Sequence, residues 1–221
     1  PNRTDFVDNA PNIPHAENLK DIEAGYRLVK TAFSAQANVY YMLYKDQLVL
    51  TGAINSVGES IRTNVPSSFR AGIELQAAFQ PSPKWQLAGN LTLSQNKIKE
   101  FTEYIVSYDE TPSIENTYKN TDISFSPSVI AGGQLSYLPT KHFEVAFLPK
   151  YVGKQYLDNT TNKNQKLDAF FTTDMRMSYI LKPIFMKELS VSLLINNVFN
   201  TMYESNGYTY SYIYGGTVTE N

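Results

Sequence analysis

Cysteine is absent from this 221-residue chain, histidine occurs twice and tryptophan once. Without cysteine there are no disulfides and no thiolate metal ligands, and the redox compartment stays open. His15 and His142 are far apart, at no metal-ligand spacing, and read as interface or turn residues. No run of ~18 uninterrupted apolar residues occurs, which excludes a transmembrane helix. It does not exclude crossing by strands, which need only ~9–11 residues with one apolar face. Charge is sparse and balanced: 19 basic and 21 acidic residues, net −2, with no run of one sign. A nucleic-acid partner is therefore not expected. The opening Pro1-Asn2-Arg3-Thr4 has neither the basic start nor the apolar core of a secretion signal.

Catalytic and cofactor motifs are also missing. There is no G-x-S-x-G and no H-E-x-x-H. Gly132-Gly133 and Gly215-Gly216 lack the strand-to-helix setting of a phosphate loop. Asp158-Asn159-Thr160-Thr161-Asn162 lacks the glycine and closing glutamate of a calcium loop and reads as a solvated loop. Two isolated histidines offer no nucleophile–base pair. The expectation is a protein that is not an enzyme, with no cofactor and no metal.

What the chain does have is aromatic residues, 16 Tyr and 12 Phe, and a period of two. Phe69, Ala71, Ile73, Leu75, Ala77 and Phe79 alternate with Arg70, Gly72, Glu74, Gln76, Ala78 and Gln80. A helix would mix these sets, so the segment is a strand. The same alternation runs through 21–28, 33–43, 85–94, 129–137, 143–151, 174–181 and 189–196. About eight antiparallel strands result. Their connections alternate in length. Short ones lie near Lys30, at Pro81-Ser82-Pro83, at Pro139-Thr140 and over Pro183 to Lys187. Long ones run from Asp46 to Ser67, Lys99 to Ser124, Leu157 to Asp168 and from Asn200 onward.

That rhythm is the one of transmembrane barrels, with short periplasmic turns and long outer loops. The polar face carries Asp21, Glu23, Arg27, Arg70, Glu74, Glu144, Lys150, Asp174 and Arg176, while the apolar face carries no charge. Lipid imposes that, because a midplane Arg or Lys costs ~2–4 kcal/mol. Tyr26, Phe33, Phe79, Trp85, Tyr137 and Phe143 flank the short turns, and Tyr40, Tyr41 and Tyr44 sit at the other end. Two aromatic bands suit two membrane interfaces.

Four segments, in order, resemble one family. Pro14-His15-Ala16-Glu17-Asn18-Leu19-Lys20-Asp21-Ile22-Glu23-Ala24-Gly25-Tyr26 is similar to a P-x-x-E-x-L-x-D-x-E-x-G-Y lead-in, and Asn38 to Asp46 to the strand that follows it. Arg70-Ala71-Gly72-Ile73-Glu74-Leu75 is similar to a G-x-E-L strand. Asn196-Asn197-Val198-Phe199-Asn200 with Tyr203 is similar to an N-N-[LV]-F-[ND]-x-x-Y signature. Together they resemble the C-terminal part of the barrel of TonB-dependent outer-membrane receptors. The resemblance implies an all-β, up-and-down transmembrane barrel of about 22 strands, of which residues 1–221 supply about eight. It also implies that the plug, the first half of the barrel and a last strand lie outside this sequence.

Function follows from the same resemblance: TonB-coupled uptake of a scarce nutrient across the bacterial outer membrane. The implied partners are TonB through the plug, outer-membrane lipid and a small-molecule ligand. The start Pro1 to Phe6 and the moderate loop lengths look more like the metal-chelate branch (siderophore, haem or cobalamin). The alternatives are a glycan importer, which would bring a surface lipoprotein partner, and an outer-membrane barrel enzyme. Glu23, Arg27, Arg70, Glu74, Asp174 and Arg176 are expected to face the plug across the lumen, paired in salt bridges. Arg62, Tyr104, Tyr108, Tyr118, Tyr156, Tyr208, Tyr210 and Tyr212 fall in the long connections and are the candidate ligand contacts. Tyr offers a rigid ring with a polar tip, and Arg a planar cationic donor.

Overall fold

The computed structural model describes residues 6, 13–54, 60–109 and 112–220. Residues 1–5, part of the segment that suggested the chelate branch, lie outside these. Every regular element from Asn18 onward is a strand. They are β1 (Asn18–Val29), β2 (Phe33–Ile54), β3 (Ser60–Ser82), β4 (Trp85–Ser107), β5 (Ile114–Asp122), β6 (Val129–Thr140) and β7 (Phe143–Val152). Next come β8 (Gln155–Tyr156), β9 (Lys166–Leu167), β10 (Phe170–Leu181), β11 (Leu189–Ile195), β12 (Ser211–Tyr214) and β13 (Thr217–Glu220). Eight of them form the expected antiparallel path, in the order β1-β2-β3-β4-β6-β7-β10-β11. The sheet does not close on itself within the described residues.

The pairing register places the alternation of the sequence on two continuous faces. Val39, Ile73 and Leu93 are successive partners across β2, β3 and β4, as are Ala37, Leu75, Leu91 and Ala131 when β6 is included. Asn38, Glu74 and Thr92 line up on the other side. The apolar side carries aromatic pairs at both ends. Trp85 and Tyr137 lie 4.6 Å apart between ring centroids near the short turns, and Tyr41 and Phe69 lie 6.0 Å apart at the far end. Phe69 to Phe79 on β3 is about 33 Å of strand. A tilt of 35–45° brings this to ~25 Å, the height of the apolar band of an outer-membrane barrel. Tyr40 and Tyr44 belong to the polar face instead. The Tyr40 ring crosses Gly72, where a Cβ would come 2.5 Å from the phenol oxygen. Only glycine fits there, which explains the G-x-E-L segment.

All four of the expected long connections contain more structure than the sequence showed, Leu157 to Asp168 through its short strand β9, which pairs with β8. β2 and β3 continue through the stretch read as a loop from Asp46 to Ser67, pairing from Gln47↔Val65 to Ile54↔Ser60. β4 continues to Ser107 and pairs with β5 through the stretch read as a loop from Lys99 to Ser124. β2, β3 and β4 have 22, 23 and 23 residues, about twice what a bilayer needs. The excess stands beyond the membrane as extended hairpins. The region after Asn200 holds the β12–β13 hairpin.

The hairpins have a core of their own: Val49, Val65, Ile98, Phe101 and Ile123, with Tyr118 packed against them. Reaching it requires the strands to reverse which face is apolar. On β2 the odd residues Val39, Tyr41 and Leu43 are exposed on the membrane face, yet Gln47, Val49 and Thr51, also odd, are buried. The reversal falls at Asp46, whose φ of 57° puts it in the left-handed region. Asp46 stands between the pairs Lys45↔Ser67 and Gln47↔Val65, opposite Pro66, which has no N–H to give. A second reversal falls at Asn120 (φ 55°), opposite Lys99. Below it the buried positions on β4 are Asn96 and Ile98; above it they are Phe101 and Ile105.

Backbone groups freed at Asp46 are met by side chains. Asn64 donates from Nδ2 to the Asp46 carbonyl (2.6 Å), and Glu17 Oε1 accepts the Leu48 N–H (2.6 Å). Asn64 also exchanges bonds with the His15 backbone, at 2.7 and 3.1 Å. The glutamate of the P-x-x-E segment is thus the acceptor that secures this reversal.

The Asn196 to Asn200 signature closes another turn. Asn197 and Asn200 both have φ of 50°. The Asn197 N–H donates to Asp174 Oδ1 (2.7 Å), and its amide both donates to the Thr201 carbonyl and accepts from the Thr201 N–H. Asparagine tolerates the left-handed region and can make both bonds, so it ends β11 there. Tyr203, the last residue of the signature, stacks on Phe170 at 4.3 Å.

Candidate functional site

Arg62, Tyr104, Tyr108 and Tyr118 lie on the long hairpins, Tyr156 on β8, and Tyr208, Tyr210 and Tyr212 in the chain after β11, and the structure brings four of these eight candidate ligand contacts together. Tyr208, Tyr210 and Tyr212 are two residues apart in extended chain, which sets them on one side. Tyr208 stacks on Tyr210 at 6.4 Å and 7°, and Tyr210 on Tyr212 at 5.8 Å and 20°. Tyr108, from the end of β4, meets Tyr212 edge-on at 6.0 Å. The Tyr208 end of this ladder is open, at 83% exposure, and the other end is anchored by Ile213, at 5%.

The anchoring corrects one expectation. All pairing was expected to be antiparallel, but β12 pairs with β4 in parallel, Tyr212↔Val106 and Ile213↔Ser107. The chain after Asn200 returns to the tip of β4 and lies along it. Asp109 completes the join: its two carboxylate oxygens accept the Gly215 and Gly216 N–H groups at 3.0 and 2.8 Å. Both glycines have positive φ, the geometry of a two-residue type I′ hairpin turn.

The other four candidates are dispersed. Arg62 lies on β3, paired with Leu50, and Tyr104 lies on β4, paired with Glu115. Tyr104 points away from the hairpin core, since its neighbour Ile105 is buried. Tyr118 packs against that core and donates its hydroxyl to Glu103 Oε2 at 3.0 Å. Burial, with the negative charges of Glu103, Asp158 and Glu220, pushes the Tyr118 phenol up to about 12. Tyr156 is buried, with the Lys154 ammonium 5.4 Å from its ring centroid.

Asp158 and Asn159, read as part of a solvated loop, are buried. Asn159 donates to the Leu50 carbonyl (2.7 Å) and accepts from the Ser124 N–H (2.8 Å), tying the β8–β9 connection to β2 and to the end of β5. Burial raises the Asp158 carboxyl above its ordinary value, against the opposing bonds it accepts from Thr160. Glu103 is raised for the same first reason.

The six expected lumen residues share the polar face, and their contacts within the described residues are as follows. Asn38 Nδ2 bridges Glu23 and Glu74, at 3.2 and 3.5 Å. Arg70 donates to Ser126 Oγ (3.2 Å), which brings the β5–β6 connection over that face. Arg176 pairs with Glu144 at 3.5 Å rather than with Asp174, which holds the Asn197 turn. Arg27 lines an open groove with Gln36, Gln76, Asn90 and Gln134.

Asp109, Ile213 and Glu103 were missed by sequence reasoning. The alternation Tyr208, Tyr210, Tyr212, Tyr214 was the available signal for a strand after Asn200. Nothing local could pair it with β4, about a hundred residues earlier.

An open antiparallel sheet with one apolar face uncharged between its two aromatic bands, and with strands long enough to overshoot a bilayer, is a portion of an outer-membrane barrel wall. The family profile for the β-barrel of TonB-dependent receptor-like proteins matches residues 2–198, and the chain belongs to that family. Solved structures share the fold. The ferric yersiniabactin uptake receptor FyuA from Yersinia pestis is 18% identical, with a TM-score of 0.62 over 92% of this chain and 28% of its own. The copper transporter OprC is 16% identical, with a TM-score of 0.67 over 92% and 30%. The siderophore receptor PiuA from Acinetobacter baumannii is 16% identical, with a TM-score of 0.61 over 85% and 25%. The chain thus spans under a third of the length of these proteins. No curated protein sequence matches it. Family membership places the chain in the bacterial outer membrane.

Proposed function

We propose that this chain forms part of the wall and outer vestibule of a TonB-coupled importer of a metal chelate. The carrying observation is the tyrosine ladder Tyr208-Tyr210-Tyr212 with Tyr108, open at one end and anchored at the other. Stacked rings with exposed edges suit a flat or aromatic chelate, because ring pairs add ~0.5–1.5 kcal/mol beyond the area they bury. The structurally similar proteins, for ferric yersiniabactin, copper and a siderophore, favour metal cargo over glycan. In this reading the polar face looks into the lumen, where Glu23, Arg27, Arg70, Glu74, Asp174 and Arg176 meet the plug. Energy enters through the plug and TonB, and no covalent bond is made or broken.

The test uses the protein at its full native length. Its intrinsic fluorescence is titrated with a panel of ferric chelates and, separately, oligosaccharides. At least one chelate should bind, and Tyr208→Ala with Tyr210→Ala should weaken it about tenfold, the equivalent of roughly 1.4 kcal/mol. Binding of sugars alone, or a double variant with unchanged chelate affinity, would overturn the reading.

A further inference from the structure

The four short turns of the main sheet form one hydrogen-bonded row. Gln80 donates its N–H to the Ala32 carbonyl, Leu138 to Lys84 and Ile180 to His142, each at 2.8 Å. Each turn therefore abuts the next. The row carries Lys30, Lys84, Lys141, Lys182 and Lys187, all exposed, and a single acid, Glu188. Among the described residues none of these lysines has an ion-pair partner. The opposite end of the sheet has the reverse balance. Over 45–67, 97–124, 154–168 and 201–220 there are twelve acidic and eight basic residues. The positive rim is therefore a property of the short-turn end alone.

Its position fixes its surroundings. Trp85–Tyr137 and the Phe143–Tyr179 pair, 6.2 Å apart, stand at the ends of the strands that these turns join. Such rings sit at the headgroup level of a membrane. Lysines one or two residues further out reach the phosphate layer, their stems along apolar surface and their ammonium groups in water. The turn between β10 and β11 adds a second feature. In Lys182-Pro183-Ile184-Phe185-Met186-Lys187, Ile184 is 107% and Phe185 82% exposed. Two exposed apolar side chains between two lysines gain by entering a membrane boundary rather than water.

We propose that the short-turn rim is a docking surface for anionic phospholipid headgroups, with the five lysines on the phosphates and Ile184 and Phe185 inserted among the acyl chains beside them. Opposite charge concentrates such lipids within a Debye length of the rim. The row of turns follows the curve of the wall, so a lipid annulus reaches all four turns at once.

The experiment uses the full-length protein in neutral detergent, equilibrated with equal amounts of phosphatidylglycerol and phosphatidylcholine. Retained lipids are counted by native mass spectrometry, and heat-modifiable migration on gels verifies folding. The wild type should retain phosphatidylglycerol severalfold over phosphatidylcholine. Changing all five lysines to Gln should bring the ratio near one, and changing them to Arg should restore it. I184S/F185S should lower retention of both lipids while keeping the ratio. If the Gln variant does not fold, the wild type decides: its preference must fall as salt is raised to about 0.5 M, where screening is nearly complete. A ratio that is unchanged by Gln substitution or by salt overturns the proposal.

Discussion

Asp46 stands opposite Pro66 at the point where the β2–β3 hairpin turns its apolar face from the membrane to its own core. Proline has no N–H, so the ladder loses nothing there by breaking. Aspartate is among the few residues that enter the left-handed region at modest cost. The freed groups are met by Asn64 and Glu17.

This relationship predicts opposite effects for two substitutions. Asp46→Val should destabilise the outer hairpin by about 1–2 kcal/mol, since a β-branched side chain resists positive φ. Asp46→Gly should be neutral or slightly stabilising. Amide hydrogen exchange at Val49 and Val65 reads the difference. Equal exchange in both variants would mean that the reversal does not depend on the Asp46 conformation.

Leu91 and Asn90 test the assignment of the faces. Leu91 pairs with Leu75 and Ala131 on the apolar side, and Asn90 with Gln76 and Gly132 on the polar side. Leu91→Arg should cost ~2–4 kcal/mol in denaturant unfolding from vesicles. Asn90→Arg should cost well under half of that, because its side chain stays in a wet or plugged interior. Similar losses for both would invert or abolish the distinction between the faces.

The outer assembly should respond to pH through Glu103 and Asp158. Burial raises both carboxyls in the folded protein above their ordinary values of 4.5 and 3.8. A raised carboxyl contributes stability that is fully present below its unfolded value and is lost as pH rises through its folded value. After correction for intrinsic exchange rates, amides of Phe101 and Tyr118 should be better protected near pH 4 than near pH 7. Glu103→Gln keeps an acceptor for the Tyr118 hydroxyl, so it should raise protection at pH 7 and flatten the dependence. Protection that grows with pH, or is unaltered by the substitution, would show that the charge of Glu103 is not what loosens this region.

Within the membrane, one local rule governs each strand: alternate residues face lipid, and lipid tolerates no charge. Ile73 and Glu74 could therefore be assigned to opposite faces by counting along the chain, and the eight strands of the main path were legible with their short turns. The family segments were legible too, but their reasons were not. Gly72 is required by the Tyr40 ring, Glu17 by the Leu48 N–H, and Asn197 by Asp174 and Thr201. Apart from Thr201, four residues on from Asn197, each partner lies on another strand, so no spacing along the chain points to it.

Beyond the membrane the rule fails, and the sequence misread structure as loop. At Asp46 a left-handed residue turns the same odd-numbered series from lipid at Leu43 to the hairpin core at Val49, and near Asn120 the buried series on β4 shifts from even at Ile98 to odd at Phe101. The tyrosines at 108, 208, 210 and 212 were chosen one by one from their positions in long connections. Their union into a ladder depends on β12 lying along β4 and on Asp109 holding Gly215 and Gly216. The sequence by itself determined the alternating wall, because the bilayer constrains every residue independently. The tertiary structure alone decided the outer assembly, because there each residue answers to neighbours brought from elsewhere in the chain.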